Sequence, residues 1–306
     1  MDAIINVTNL YKSYGTTIAV DDVSFDVSEG EIFGMVGPNG AGKTTTIECL
    51  EGLRVPDAGQ VRVLGVEPHQ HPRFLHTQAG MQLQNSNLPE RIKVWEALDL
   101  FGSFYPTALD SDELLAQLGL NEKRNSTFSK LSGGQKQRLF IALALLHDPV
   151  LVFLDELTSG LDPQARHAIW DLVRDVHHKG KTIFLTTHYM EEAEHLCDRV
   201  AILDHGRIVA LDKPSRLIQD LGGEGSLSFH VPMPLTPEFE SQLNQIGRVE
   251  YQSDRVVVYE NSHQTNLVSA VVSLLTQLDI AFSDLRTEQP TLEDVFLHLT
   301  GYGMKD

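Results

Sequence analysis

Eight consecutive residues constrain this chain more than any others: Gly37-Pro38-Asn39-Gly40-Ala41-Gly42-Lys43-Thr44. They leave an apolar run, Ile32–Val36, and open a helical pattern over Thr44–Leu53. In that strand-turn-helix setting the glycines let backbone N–H groups turn inward around phosphate oxygens, and the helix N-terminus favours their negative charge. Lys43 can reach β- and γ-phosphates, and the Thr44 hydroxyl can ligate Mg²⁺. Residues 37–45, ending in Thr45, are therefore the candidate phosphate site.

The surrounding pattern supplies the sheet such a loop needs. Ile4–Leu10, Val23–Val27, Val61–Val63, Leu151–Leu154, Ile183–Thr186 and Val200–Leu203 read as strands. Helical patterns lie between them at Val94–Phe104, Asp112–Leu118, Gly134–Leu146, Gln164–His178 and Met190–Cys197. Alternation of this kind predicts an α/β domain with a largely parallel sheet. Asp204-His205-Gly206 is a turn between two short runs and predicts a closing hairpin. Gly222-Gly223-Glu224-Gly225 then reads as a linker, giving domains at 1–221 and 222–306. The second is expected to be a small α+β domain. Its strands are Ser226–Val231, Val249–Gln252, Arg255–Glu260 and Ile280–Arg286. Its helices are Pro237–Gln245, Gln264–Leu278 and Leu292–Leu299, with Thr236 and Thr291 as N-caps.

Two further stretches carry chemistry. Leu151-Val152-Phe153-Leu154-Asp155-Glu156 is an apolar run ending in paired carboxylates, and a buried strand delivers them to the carboxyl end of the sheet, where ligands bind. Asp155 suits a Mg²⁺-holding role, and Glu156 suits a general base for an attacking water. Leu131-Ser132-Gly133-Gly134-Gln135 precedes a long helical pattern. It is a second helix N-terminus with small residues, able to present the Ser132 hydroxyl and the Gly134 N–H to a phosphate. Equally, it is the composition of an ordinary helix cap.

With these motifs in this order the chain resembles the ABC ATPase family, whose signature is the pentapeptide at 131–135. The resemblance covers residues 4–214. It implies a P-loop NTPase fold with a helical subdomain at roughly 85–150. Asp155 then takes the Walker B role, Glu156 the catalytic base, and Ser159–Asp162 the D-loop. His188 takes the place of the switch histidine that senses the γ-phosphate. Gln84, in Met81-Gln82-Leu83-Gln84, aligns with the metal-ligating Q-loop glutamine, with Gln82 as the neighbouring alternative. Tyr14 matches the aromatic that stacks on adenine. Two departures are visible: Leu157 stands where proline is usual, and Ile92–Glu96 is a loose version of the usual run after the Q-loop.

The family mechanism implies a homodimer that sandwiches two ATP molecules with Mg²⁺. Each would be gripped by residues 37–45 of one copy and by Ser132, Gly133, Gly134 and Gln135 of the other. It also implies separate membrane-spanning permease subunits, docked near Gln84–Glu96. The tail Pro290–Gly301 and the segment Phe101–Tyr105 resemble ATPases that serve ABC-2 type exporters, the daunorubicin-resistance-like group.

Composition sets the outer limits. Hydrophobic residues make up 42% of the 306, ample for two packed cores. No run approaches the ~20 apolar residues of a membrane helix. Met1-Asp2-Ala3 offers no signal-peptide pattern, and only Cys49 and Cys197 occur, so a cytoplasmic chain without disulfides is expected, peripheral to the membrane through its permease. The net charge of −18 argues against nucleic acid. Residues 222–306 are denser in acid, with 12 acidic against 4 basic side chains. His69, His71 and His76 lack a Cys or carboxylate framework and read as a solvated loop. Two alternatives stay open on sequence grounds: a soluble ATPase uncoupled from transport, and a non-hydrolysing regulatory module.

Overall fold

The computed structural model describes residues 3–83, 87–220, 225–231, 236–252, 255–260 and 267–301. Internal contacts divide it into two units, Met1–Ser215 and Arg216–Asp306. This division falls earlier than the 221/222 boundary expected above, and residues 222–224 of the expected linker lie outside the described residues.

The strands of the first unit are β1 (Ala3–Tyr14), β2 (Thr17–Ser28), β3 (Ile32–Val36), β4 (Ala58–Val63), β5 (Ala79–Gln82), β6 (Leu151–Asp155), β7 (Thr182–Thr187), β8 (Arg199–Asp204) and β9 (Arg207–Asp212). Its helices are α1 (Lys43–Leu50), α2 (Pro72–Gln78), α3 (Val94–Gly102), α4 (Ser111–Gln117), α5 (Gly133–Leu145), α6 (Pro163–His178) and α7 (Met190–Leu196). The unit boundary falls within α8 (Pro214–Asp220).

Two sheets form rather than one. The larger has strand order β5-β6-β7-β3-β8-β9, parallel throughout except for β9, which returns antiparallel on β8. Every residue of β3, β6 and β7 is buried. Their apolar runs, bounded by Asp155 in β6 and by threonines in β7, are those of parallel strands covered on both faces. The smaller sheet, β2-β1-β4, is antiparallel. Phe25 of β2 lies 5.3 Å from Phe33 of β3 and 6.0 Å from Phe184 of β7, centroid to centroid, and anchors one sheet on the other. Such aromatic pairs add ~0.5–1.5 kcal/mol each beyond their area burial. Helix α1 inserts Ile47 and Leu50 into the same core. Helix α5 packs on β5, α3 and α6, which ties the helical segment to the edge of the large sheet.

The second unit runs β10 (Ser226–His230), α9 (Pro237–Ile246), β11 (Gly247–Gln252), β12 (Arg255–Glu260), α10 (Leu267–Gln277), β13 (Ser283–Glu288) and α11 (Leu292–Thr300). Its four strands pair antiparallel in the order β11-β12-β10-β13, the split βαββαβ arrangement. Phe229, Val256 and Val258 meet Phe239 and Leu243 of α9 and Val271 and Leu275 of α10 in a separate core. Thr236 and Thr291 cap α9 and α11, accepting from the N–H groups of Phe239 and Asp294. Among the described residues no helix is long and apolar enough to cross a membrane.

Candidate active site

The strand order explains why residues scattered along the sequence converge. β6, β7 and β3 are neighbours in the sheet, so their carboxyl ends bring together Asp155-Glu156, His188 and the loop after Val36. An open α/β sheet binds its ligands at this edge.

The loop between β3 and α1 is fitted against the strands beside it. A Cβ on Gly37 would stand 2.2 Å from the Leu203 carbonyl oxygen, and one on Gly42 2.3 Å from that of Ala19. Gly42 also has φ 106°, which side chains resist. The loop is held by the Gly206 N–H, which donates to Ala41 O at 3.0 Å, and by the Thr46 hydroxyl, which donates to Gly42 O at 2.9 Å. Lys43 is 4% exposed, and its ammonium donates to Gly37 O at 2.9 Å and Pro38 O at 3.0 Å. The ammonium is thus folded back onto the carbonyls of its own loop.

Glu156 stands opposite. Its Oε1 lies 3.9 Å from Lys43 Nζ and 3.7 Å from His188 Nδ1. Its backbone adopts φ 48°, left-handed for a residue with a side chain, and its N–H donates to Thr186 O at 3.1 Å. Strained backbone of this sort persists where surrounding structure over-determines it and clusters at functional sites. Asp155 is 4% exposed and accepts from the Thr186 hydroxyl. Burial pushes its carboxyl up, the Thr186 bond pulls it down, Glu156 pushes it further up, and Lys43 pulls it down. The reverse holds at Lys43: burial lowers its pKa against the pull of Glu156 and Asp155. A buried carboxylate, Asp155, and a part-buried one, Glu156, therefore share the neighbourhood of the buried Lys43 ammonium.

A cavity of about 370 Å³ opens from these groups. It is lined by Tyr14, Asn39, Gly40, Gly42, Lys43, Thr44, Thr45 and Glu156, all singled out from sequence, and by Thr17, Ile18 and Ala19, which were not. The last three belong to the β1–β2 hairpin, whose part in the cavity follows only from the packing of the small sheet on the large one. Tyr14 is 43% exposed, with Lys12 Nζ at 5.6 Å and Arg54 Cζ at 5.8 Å from its ring centroid. Lys12 is in turn held by Asp57 at 2.7 Å, and Arg54 by Glu48 at 2.9 Å.

Ser132–Gln135 do not line this cavity. They begin α5 as a capping box: Ser132 Oγ accepts from the Gln135 N–H at 3.3 Å, and Gln135 Oε1 accepts from the Ser132 N–H at 3.1 Å. Gln84 lies outside the described residues. Its neighbour Gln82 is buried, with its amide nitrogen donating to Leu83 O at 2.8 Å.

The chain is similar to known proteins along its whole length. The ABC transporter family profile matches residues 20–159. The Nod factor export ATP-binding protein I of Paraburkholderia xenovorans (strain LB400) is 39% identical over 312 aligned positions, covering 100% of this chain and 99% of the relative. The protein of the same name from Sinorhizobium fredii is 37% identical, covering 100% of this chain and 88% of that one. Among solved structures, an ATP-binding subunit of an ABC transporter superposes with a TM-score of 0.64 at 31% identity, over 72% of this chain and 93% of the other. A dimeric ATP-binding cassette in a post-hydrolysis state with ADP and Pi superposes with a TM-score of 0.62 at 25% identity, over 68% of this chain and 98% of the other.

Proposed function

The chain belongs to the family of ABC transporter ATP-binding subunits and is an ATPase, and from that premise we propose how its residues divide the work. Two copies enclose two ATP molecules. In each site Tyr14 stacks on adenine, residues 37–45 wrap the phosphates, and Lys43 moves from its own loop carbonyls to the β- and γ-phosphates. Glu156 orients the attacking water and takes its proton, and His188 contacts the γ-phosphate. Ser132, Gly133, Gly134 and Gln135 of the other copy close the site. Positioning and charge stabilisation supply most of the rate in such in-line transfers.

The donor set fits Mg²⁺. Asp155 and Thr44 offer hard oxygen ligands, and the carboxylates of Asp155 and Glu156 outnumber the one ammonium near them. Asp155 and Thr44 would hold the ion, with Gln84 as a third ligand on sequence grounds. When bound, the ion neutralises phosphate charge.

Relatives named for Nod factor export align along the whole chain, its second unit included. That coverage supports service to an ABC-2 type exporter, with the transport path in separate membrane-spanning subunits and this chain on their cytoplasmic face. Residues 222–306 supply self-association or partner control rather than ATP chemistry.

The observation carrying this reading is the cavity that joins Tyr14, the phosphate loop and Glu156, with His188 3.7 Å from Glu156. Glu156→Gln tests it. The variant should bind ATP normally, hydrolyse it at least ~100-fold more slowly, and accumulate an ATP-bound dimer in sedimentation. Turnover at the wild-type rate would remove Glu156 from the role of base.

A further inference from the structure

Behind the candidate site lies a buried carboxylate that the chemistry above does not use. Glu192 of α7 is 1% exposed. Its Oε1 accepts from the Trp170 indole N–H of α6 at 2.9 Å. Its Oε2 has no hydrogen-bond partner among the described residues, and neither has the hydroxyl of Thr158, which is 0% exposed. Burial pushes the Glu192 carboxyl up, while the nearby hydroxyls of Thr187 and Thr158 and the Trp170 N–H draw it back. Those two threonines lie on different segments. Thr187 ends β7, accepts from the Tyr189 N–H at 3.0 Å, and so holds the turn that carries His188. Thr158 opens the segment that leads from Glu156 to α6.

That second segment is pressed against the start of α5. A Cβ on Gly133 would stand 3.3 Å from Leu161 Cδ2, and one on Gly134 3.3 Å from Ala165 Cβ. The start of α5 is thus closely packed on Leu161 and Ala165. A contiguous line of contacts therefore runs from the His188 turn through Glu192 and Thr158 to the start of α5. Keeping an acid in this position costs free energy, since a desolvated carboxylate with an unmet oxygen is unfavourable where an apolar side chain would not be. Breaches of this kind in an otherwise consistent interior occur at functional positions.

We propose that Glu192 is a positioning residue that ties the His188 turn to the segment opened by Thr158, linking the nucleotide held by one chain to the Ser132–Gln135 segment of that same chain. This rests on the reading that each nucleotide is shared between two copies. On that reading, Ser132–Gln135 serve the other copy's ATP, so the line joins the two sites. Closure turns the Thr158 hydroxyl onto Glu192 Oε2 and satisfies both groups.

The test uses the full chain, three single variants and one double variant. Thr158→Val removes one buried hydroxyl with little change of shape. It should lower kcat about tenfold, the effect of one lost hydrogen bond, with KM for ATP within twofold. Glu192→Ala should lower kcat at least as much. Glu192→Gln, which can accept from Trp170 and donate to Thr158, should recover most of the rate. In Thr158→Val/Glu192→Ala the loss should equal that of the worse single variant, because both remove one link. A wild-type kcat for Thr158→Val would overturn the proposal. So would losses that multiply in the double variant, or a raised KM and lowered Tm with kcat intact, the mark of a merely structural role. Thr158→Val keeps the test decisive if Glu192→Ala fails to fold. ATP-driven dimerisation of Glu156→Gln separates the two levels: without a dimer the shared-site reading and this proposal both fall, whereas a normal dimer beside an unaffected Thr158→Val defeats only the coupling.

Discussion

Tyr14 and Glu51 show how differently single residues can be read. The Tyr14 ring is flanked by Lys12 and Arg54, each fixed by its own carboxylate. A base stacked on an aromatic ring gains ~1–3 kcal/mol. Tyr14→Ala should therefore weaken ATP binding about tenfold, and Tyr14→Phe should keep it, as nucleotide titration would report. Equal harm from phenylalanine would mean that the hydroxyl matters and the stacking does not. Glu51, next after α1, has 0% exposure, and neither carboxyl oxygen has a hydrogen-bond partner among the described residues. Burial, with Asp155 and Glu48 nearby, pushes its pKa from 4.5 to about 8. A folded-state pKa above the unfolded one means that the native state holds the extra proton between those values, so stability falls as pH rises through the window and levels off above it. Glu51→Gln removes this dependence. Relative to wild type its unfolding free energy should gain with pH, by up to about 4 kcal/mol between pH 5 and pH 8. Parallel stability curves for the two proteins would contradict it. Tyr14 was legible because its motif is local. Glu51 was not, because an acid beside Cys49 and Leu50 becomes exceptional only once the fold buries it.

Among the elements, long and patterned segments announce themselves, and short ones depend on their neighbours. Ile32–Val36 and Arg255–Glu260 occur as strands with the bounds expected from sequence, each rich in β-branched or aromatic residues. β5, with the sequence Ala-Gly-Met-Gln, has no such composition, and only pairing with β6 makes it a strand. Helix α2 begins with Pro72 at its first position and buries Leu75 alone of its residues, too little to give a helical period. The small sheet was hidden too, since β1, β2 and β4 separate from the parallel strands only through pairing that sequence does not display. The start of α5 is a subtler case. Ser132 serves there as an N-cap, which accounts for its presence without any nucleotide. Substitution can part the two roles. Aspartate caps a helix as well as serine does, so Ser132→Asp should leave stability within ~0.5 kcal/mol. Its added negative charge would oppose a γ-phosphate approaching from the second copy. Thermal melts should thus be unchanged while turnover and ATP-driven dimerisation are lost. A variant that hydrolysed normally would leave Ser132 as a cap alone.

At the scale of the whole molecule, the described groups of the candidate site all belong to one of the two units. Asp155, Glu156, His188 and every described residue of the cavity lie within Met1–Ser215. The alternation of strands and helices and the ordered motifs made that unit readable, and its counterparts among solved subunits are nearly complete within 72% of this chain. The second unit was readable only as a list of elements, because nothing in residues 226–301 states that β10 pairs with both β12 and β13. That pairing is long-range, and two helices must be placed before it forms. Once formed, it gives the unit a core of its own around Phe229, Phe239 and Val271. A unit of this size is near the lower range at which one core suffices, so it gains from contact with another surface, and a twin unit is one such surface. Truncation after Asp220 should then leave the first unit folded and able to bind ATP with wild-type affinity. What it should lose is association. Sedimentation of the truncated and full chains, each with and without ATP, would show the truncated dimer dissociating at concentrations where the full chain remains paired. An unchanged monomer–dimer balance accompanied by lost ATP affinity would reverse the assignment, placing the second unit in support of the nucleotide site instead of assembly.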